Sequence, residues 1–508
     1  MEFRRAVSLV TVIIAALAIT IPSQAQSATT NQGQNVRYKI IDLGTFGGPQ
    51  SYVNIPDLSY ARVLNSRGMV SGWADTPVPD PFPDFCFVGD CSVTHAFRWV
   101  NGAKEDLGVL QDGVSSDATW IAENGLIAGD SENGEIDPLI PGFPEIRAVL
   151  WNGGEMIDLG TLEGGYESIA SSVNSHGQVV GLALNGITDP DSMVGLGYQA
   201  RAFLWQNGAM RDLGTLGGPD AWAFVINERG QVAGNSYVNT EPSARCAQFE
   251  IGTLTTGAFL WDKGTMKDLG NFGGTCTFVF DLNNRGEVVG ASSLAGDQVQ
   301  HPFLWDGQAL IDLHTFGGDA GTAIAINEIG DAVGWATDPD QVPHAALWRN
   351  GQIKDLGTLA GFPFSFGSAI NARGQVVGEV ASSDFTEFRG FLWQAGGPMI
   401  DLNSLIPPGS DLQVVFPETI NDRGEIVGRA LLPDGSEHAF LMVPCGETQA
   451  GASRCELVQD ANAAALQIGG VGFNQVQQRN LRGSPALRLR PQSGVRRRVA
   501  RFVLVPKS

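Results

Sequence analysis

Four of the six histidines, His95, His301, His344 and His438, open one recurring block, and eight aspartates, Asp42, Asp106, Asp158, Asp212, Asp268, Asp312, Asp355 and Asp401, open another. Imidazoles and carboxylates are the usual material of metal sites and of general acid–base catalysis. Their regularity points to structure instead. Equivalent positions of a radial repeat lie far apart and cannot converge on one ion at about 2.1 Å each. Glycoside hydrolysis needs one carboxylate pair roughly 5 to 9 Å apart, not a ring of spaced singles. Each aspartate is therefore expected to accept backbone N–H groups at a strand end, and the histidine to hydrogen-bond a neighbouring turn or the repeat Asp, with arginine able to substitute as a donor. There is no Gly-x-Ser-x-Gly elbow, His-Glu-x-x-His helix, phosphate-binding loop or EF-hand loop. No catalytic residue, metal site or cofactor is assigned.

These blocks recur in fixed order with a third. Asp-Leu-Gly starts are 64, 52, 54, 56, 44, 43 and 46 residues apart, a spacing that suits propeller blades and not leucine-rich repeats. Asn-x-x-Gly followed by an apolar run and Gly recurs at Asn65, Asn174, Asn227, Asn283, Asn327, Asn371 and Asn421, with Ala122 in the remaining copy. The His/Arg-Ala-Phe-Leu-Trp block carries Trp99, Trp151, Trp205, Trp261, Trp305, Trp348 and Trp393, and its eighth copy, His438-Ala-Phe-Leu-Met442, lacks the Trp. The tryptophans are expected as core between blades. Each unit reads as four short strands, the Asn-x-Arg-Gly segment forming a hairpin whose Gly takes the left-handed backbone. The fold class is all-β, an eight-bladed propeller over residues 38–444. The last unit lacks its fourth strand, which Tyr38–Gly44 can supply to seal the ring.

Together, Asp-Leu-Gly-Thr-Leu-Gly-Gly, Ile-Asn-x-Arg-Gly-Gln-Val-Val-Gly and His-Ala-Phe-Leu-Trp resemble the HAF repeats of bacterial secreted proteins, over residues 38–443. The resemblance implies an extracellular repeat protein and carries over no catalytic residue and no ligand. The chain departs from the pattern at Ala122, at His314 in place of Gly, and at Arg147, Arg201, Gly257 and Arg389 in place of His.

A basic start, an apolar stretch over residues 6–21 and Ser23-Gln24-Ala25 read as a signal peptide, residues 1–25, followed by a linker, 26–37. No membrane span is expected, because the apolar stretch is shorter than the roughly 20 residues a bilayer requires. Six cysteines fall as near neighbours, Cys86 with Cys91, Cys246 with Cys276 and Cys445 with Cys455, which favours three local disulfides in an oxidising compartment. The net charge of −22 divides unevenly: residues 446–508 hold ten Lys or Arg and three Asp or Glu. The acidic body disfavours nucleic acid. The basic tail, 445–508, suits contact with an anionic surface polymer or with the acidic body itself.

The departures from the repeat cluster between strands two and three of the first four units, at residues 73–94, 130–146, 182–200 and 235–256. These insertions are expected on one face, together with the strand-four-to-one turns. They mix Trp73, Phe82, Phe85, Phe143, Tyr198 and Tyr237 with Asp137, Asp189 and Asp191, a composition suited to stacking sugars or capturing cationic peptides. The opposite face is expected to be plainer. The leading reading is a secreted, non-enzymatic binding or scaffold module for polysaccharide or protein. The competing class is a carbohydrate-active hydrolase or lyase with a loop-built site on the insertion face.

Overall fold

The computed structural model describes residues 37–53, 62–83, 91–248 and 252–445. The expected signal peptide, nearly all of the linker and the tail beyond Cys445 lie outside the described residues. Blade 1 is built from Ser51–Tyr52, Val70–Pro79, Ser92–Val100 and Ala103–Asp106, paired in that order. The same antiparallel order repeats in blades 2 to 7, whose first strands begin at Ser116, Ser168, Ala221, Gly273, Gly321 and Phe364. One parallel bridge, Thr256 to Cys276, joins blades 4 and 5 into a continuous sheet.

Blade 8 is completed from the other end of the chain. Tyr38–Asp42 pairs antiparallel with Glu437–Pro444, from Tyr38 opposite Pro444 to Asp42 opposite Phe440. Across the seam to blade 1, Ala439 N donates to Ser51 Oγ at 3.0 Å, and Leu43, Val53, Val70, Phe97, Val427 and Leu441 form one apolar cluster. The ring therefore leaves no open strand edge at its seam.

The repeat residues explain why each blade holds. In strand three the aromatic of Ala-Phe-Leu-Trp is buried, Phe97, Phe203, Phe259, Phe303, Phe391 and Phe440 having no exposed surface. The Trp two residues later is also buried in Trp151, Trp205, Trp261, Trp305, Trp348 and Trp393, whereas Trp99 is half-buried. These indoles lie between blades: Lys267 of blade 4 sits 4.3 Å from the ring centre of Trp305 in blade 5, and Lys354 of blade 6 lies 4.7 Å from Trp393 in blade 7. The strand-two Gly is dictated by crowding, since a Cβ at Gly290 would lie 2.0 Å from the Phe278 carbonyl oxygen and 2.8 Å from the Phe303 ring.

The Asn-x-x-Gly segment is the expected hairpin, with Gly230 at φ 75°. The asparagine does more than shape it. Its Oδ1 accepts from the backbone two and four residues on, as Asn227 does from Arg229 and Gln231 at 3.0 Å. Its Nδ2 donates to the backbone carbonyl at the equivalent position of the next blade, at 2.9–3.2 Å, from Asn65 round to Asn421, which donates back to Asn65. Seven such bonds latch the inner ring circumferentially. Ala122 leaves the one gap, spanned instead by Asn124 Nδ2 donating to Ser175 O at 2.8 Å.

Candidate functional site

The recurring aspartates have the structural role expected of them. All eight accept a backbone N–H two residues on, at 2.7–2.8 Å. His95, His301, His344 and His438 place Nδ1 at 2.8–3.0 Å from Asp106, Asp312, Asp355 and Asp42, and Arg201 and Arg389 take the same place against Asp212 and Asp401. Arg147 turns instead to Glu145. Partial burial would raise the Asp355 carboxyl, but the hydrogen bonds from His344 and from Gly357 N prevail and hold it below the usual carboxylate range. The same bond raises His344.

The four insertions are not irregular decoration but four copies of one extension. Strand two runs on to Pro79, Ile136, Thr188 and Pro242, and the next residue caps the hairpin. Asp80, Asp137, Asp189 and Ser243 accept a backbone N–H from Phe82, Leu139, Asp191 and Cys246. Their own N–H groups return to Cys91, Phe143, Gly197 and Thr253 carbonyls at 2.7–2.9 Å. All four stand on the face of the strand-four-to-one turns, as in the bonds of Gly48 N to Asp75 O and Gly218 N to Tyr237 O.

Of the residues expected to form a binding wall there, most are anchors rather than surface. Trp73, Phe143, Asp137, Asp189 and Tyr237 are buried, Trp73 against Tyr52 of its own blade. Tyr198 Oη donates to Leu139 O in the preceding insertion, and Tyr237 Oη to Asp191 O. Asp191 is exposed, Phe82 and Tyr198 are half-buried, and Phe85 lies outside the described residues. Burial and the neighbouring Asp189 push the Asp220 carboxyl up to about 7, although it accepts from Met193 N and Ala200 N. A disulfide, Cys246–Cys276, ties the blade 4 insertion to the first strand of blade 5. Cys91 and Cys445 are also disulfide-bonded, while Cys86 and Cys455 lie outside the described residues.

The cavity lies on the other face. A space of ≈ 350 Å³ opens among the first strands and the Asn-x-x-Gly turns, on the face expected to be plain. Its charged lining is Arg62 against Glu123, Glu228, Asp281, Glu328, Glu418 and Asp422. A bulge recurs in strand one of blades 2 to 8 and, in blades 6 to 8, sets Ile324, Ser368 and Glu418 in the wall. Burial pushes the Asp281 carboxyl up, opposed by Arg62 and by the N–H groups of Ile326 and Leu282.

Four of these acids obey a rule hidden in the repeat. The residue after the repeat Asn is Glu123, Glu228, Glu328 or Asp422 in even-numbered blades, and Ser66, Ser175, Asn284 or Ala372 in odd ones. Each acid accepts the backbone N–H of its odd-numbered neighbour, at 2.8–3.1 Å. The eightfold ring therefore carries a fourfold set of carboxylates. Three of the five arginines of these turns are engaged elsewhere: Arg229 donates to Asn284 and Arg285 carbonyls, and Arg285 and Arg423 pair with Glu287 and Glu425. One further cluster could hold a metal, His301 with Asp312 and His314.

Fold and cavity together define an eight-bladed β-propeller with an acid-lined axial pocket. No protein-family model and no curated protein sequence matches the chain. Several solved structures are similar to it at low identity. The β-propeller domain of the trilobed protease from Pyrococcus furiosus is 9% identical, the match covering 70% of this chain and 95% of that one at a TM-score of 0.41. An acylaminoacyl peptidase of Pyrococcus horikoshii is 9% identical, over 75% of this chain and 58% of that one, at 0.41. A lectin of Aleuria aurantia is 11% identical, over 57% and 96%, at 0.24. The likeness is one of fold alone. Among the described residues no helix is long and apolar enough to cross a membrane.

Proposed function

We propose that this chain is a secreted, non-enzymatic binding propeller of the HAF-repeat type, which captures a cationic group of an extracellular protein or polysaccharide at the mouth of its channel. The charge of the cavity carries this reading: apart from Glu418, which pairs with Arg429, and the buried Asp281, four carboxylates, Glu123, Glu228, Glu328 and Asp422, line it with one guanidinium, Arg62. A concave site of one sign, walled by protein, focuses its field and attracts ligands of the opposite sign. Asp422 accepts one backbone N–H, and Glu123, Glu228 and Glu328 each accept a backbone N–H and a side-chain donor, Ser66 Oγ, Ser175 Oγ and Asn284 Nδ2; the remaining lone pairs of these carboxylates can take an ammonium or guanidinium group. Secretion is supported by the Cys246–Cys276 disulfide and by the leader-like start of the chain.

The enzymatic alternative has one observation in its favour. Glu379 is pushed up to about 8 by burial and by the charge of Glu418, the separation of carboxyl strengths that acid catalysis uses. Yet Glu418 is held by Arg429 at 3.3 Å, and Glu379 stands behind Ser368, which donates to it at 3.0 Å.

The test titrates the full chain with a lysine-rich peptide and with a panel of polysaccharides, recording both binding and product release. Combining Glu328→Gln with Asp422→Asn should weaken peptide capture at least about tenfold and flatten its salt dependence. Trimming residues 130–146 and 182–200 to ten-residue loops should leave capture intact. The opposite pattern would move the site to the insertion face around Asp191 and Tyr198. Product release abolished by changing one carboxylate would make the protein an enzyme.

A further inference from the structure

We infer that His301, Asp312 and His314 form a binding site for one divalent late transition ion, Zn²⁺ or Cu²⁺, at the outer edge of blade 5. The argument begins with an internal comparison. Blades 1, 6 and 8 carry the same His–Asp pair, His95–Asp106, His344–Asp355 and His438–Asp42, as a purely structural contact. Only blade 5 adds a second imidazole, because His314 replaces the glycine of Asp-Leu-Gly.

That replacement is made against the backbone's preference. The corresponding Gly44, Gly108, Gly160, Gly214, Gly270 and Gly357 have φ between 63° and 88°, and His314 keeps that left-handed conformation at φ 59°. A side chain held where six equivalent turns use glycine is the kind of local strain that collects at functional positions.

The donor geometry suits an ion. Asp312 Oδ1 accepts from His314 N at 2.7 Å and lies 3.0 Å from His301 Nδ1, and Oδ2 lies 2.8 Å from His301 Nδ1 and 3.2 Å from His314 Nδ1. Two ligands bound at about 2.0 to 2.1 Å, in octahedral or tetrahedral geometry, stand about 2.9 to 3.4 Å apart. The carboxylate and each imidazole are thus already at the separation that one ion would impose. Two nitrogen donors and one oxygen favour Zn²⁺ or Cu²⁺ over Ca²⁺ or Mg²⁺, which want oxygen shells. Three protein ligands leave a position open, and the short turn over Ala295–Val299 does not cover it: the His314 side chain is 73% exposed.

The site is independent of the channel, and its test uses the ion alone. Calorimetric titration of the full chain with Zn²⁺ should show one site that Ca²⁺ does not fill, and thermal melting should shift upward with Zn²⁺. His314→Gly restores the residue of six other blades, so the metal-free protein should melt no lower than the parent while Zn²⁺ affinity falls at least about tenfold. His314→Asn, which tolerates the left-handed backbone, should lose affinity equally. His344→Ala removes an identical pair from blade 6 and should leave Zn²⁺ binding unchanged. Absence of binding by the parent, unchanged affinity in His314→Gly, or an equal loss in His344→Ala would each overturn the assignment.

Discussion

Blades 1 to 4 and blades 5 to 8 share one strand plan and diverge on one face. In the first half strand two runs for ten or eleven residues into a capped hairpin, and in the second it stops after six or seven. The longer hairpins lean on one another through Tyr198 and Tyr237, and the last of them is tied to blade 5 by the Cys246–Cys276 link. The inner ring ignores this difference, for the asparagine latch runs through both halves and is interrupted only at Ala122. Outer variation is therefore uncoupled from the interior. A repeat interior that satisfies its own backbone leaves the outer loops free to lengthen at small entropic cost.

The largest test of that uncoupling acts where the halves meet. Without residues 38–44, Glu437–Pro444 becomes an open edge and the seam loses Tyr38 and Leu43, which are buried. A chain starting at Gly48 should lose much of the roughly 5 to 15 kcal/mol that holds a domain and should aggregate. Melting followed by light scattering reads this, and a melt identical to the parent's would show that the seam carries no weight.

At the other junction, Cys246→Ser with Cys276→Ser opens a link 30 residues apart in sequence and should cost about 3 to 4 kcal/mol in the chain-entropy model. Chemical denaturation that shows no change would mean that the inserted half needs no anchor to the lean one.

The latch itself predicts parity between the halves. Asn174→Ala in blade 3 and Asn327→Ala in blade 6 each strand a buried carbonyl in the next blade, at Asn227 and Asn371, and should each cost about 1 to 3 kcal/mol. A clear inequality in denaturant midpoints would couple the latch to the insertions after all. Conversely, Ala122→Asn supplies the missing donor and should stabilise by about 0.5 to 1.5 kcal/mol, read as a raised melting temperature.

A further expected effect is a slope with pH in the lean half. Glu379 is held at about 8, above its ordinary value of 4.5. The folded state thus keeps a proton that the unfolded chain releases. The corresponding stability is complete below about pH 4.5, declines as pH rises toward 8, and is gone above it. Glu379→Gln should flatten the fall in denaturant midpoint between pH 5 and 9, and an unchanged slope would locate the titration elsewhere.

Much of this was legible before any coordinates. The spacing of Asp-Leu-Gly, the Asn-x-Arg-Gly turns and the unpaired Tyr38–Gly44 segment led to eight blades and their closure, because strand periodicity and turn chemistry are local. The roles of the aspartates and histidines were legible too, since a residue required in every unit is tied to the unit's own backbone. The insertions misled. Their aromatics and acids look like a surface in one dimension, yet Trp73, Phe143, Asp137 and Tyr237 are buried. His314 stood out as a departure, but its nearness to His301 depends on the pairing of two strands and on a left-handed backbone.

By itself, then, the sequence determined the repeat, the strand count, the seam and the structural duties of its commonest residues, all set by interactions within one unit or by the complementarity of its two ends. Only the tertiary structure decided which residues from different units meet: the latch joining each asparagine to the following blade, the four acids gathered around the channel, and the carboxylate between two imidazoles. Those meetings join positions roughly one repeat apart, or across a hairpin, and their energetics depend on burial and distance, which no local pattern of residues encodes.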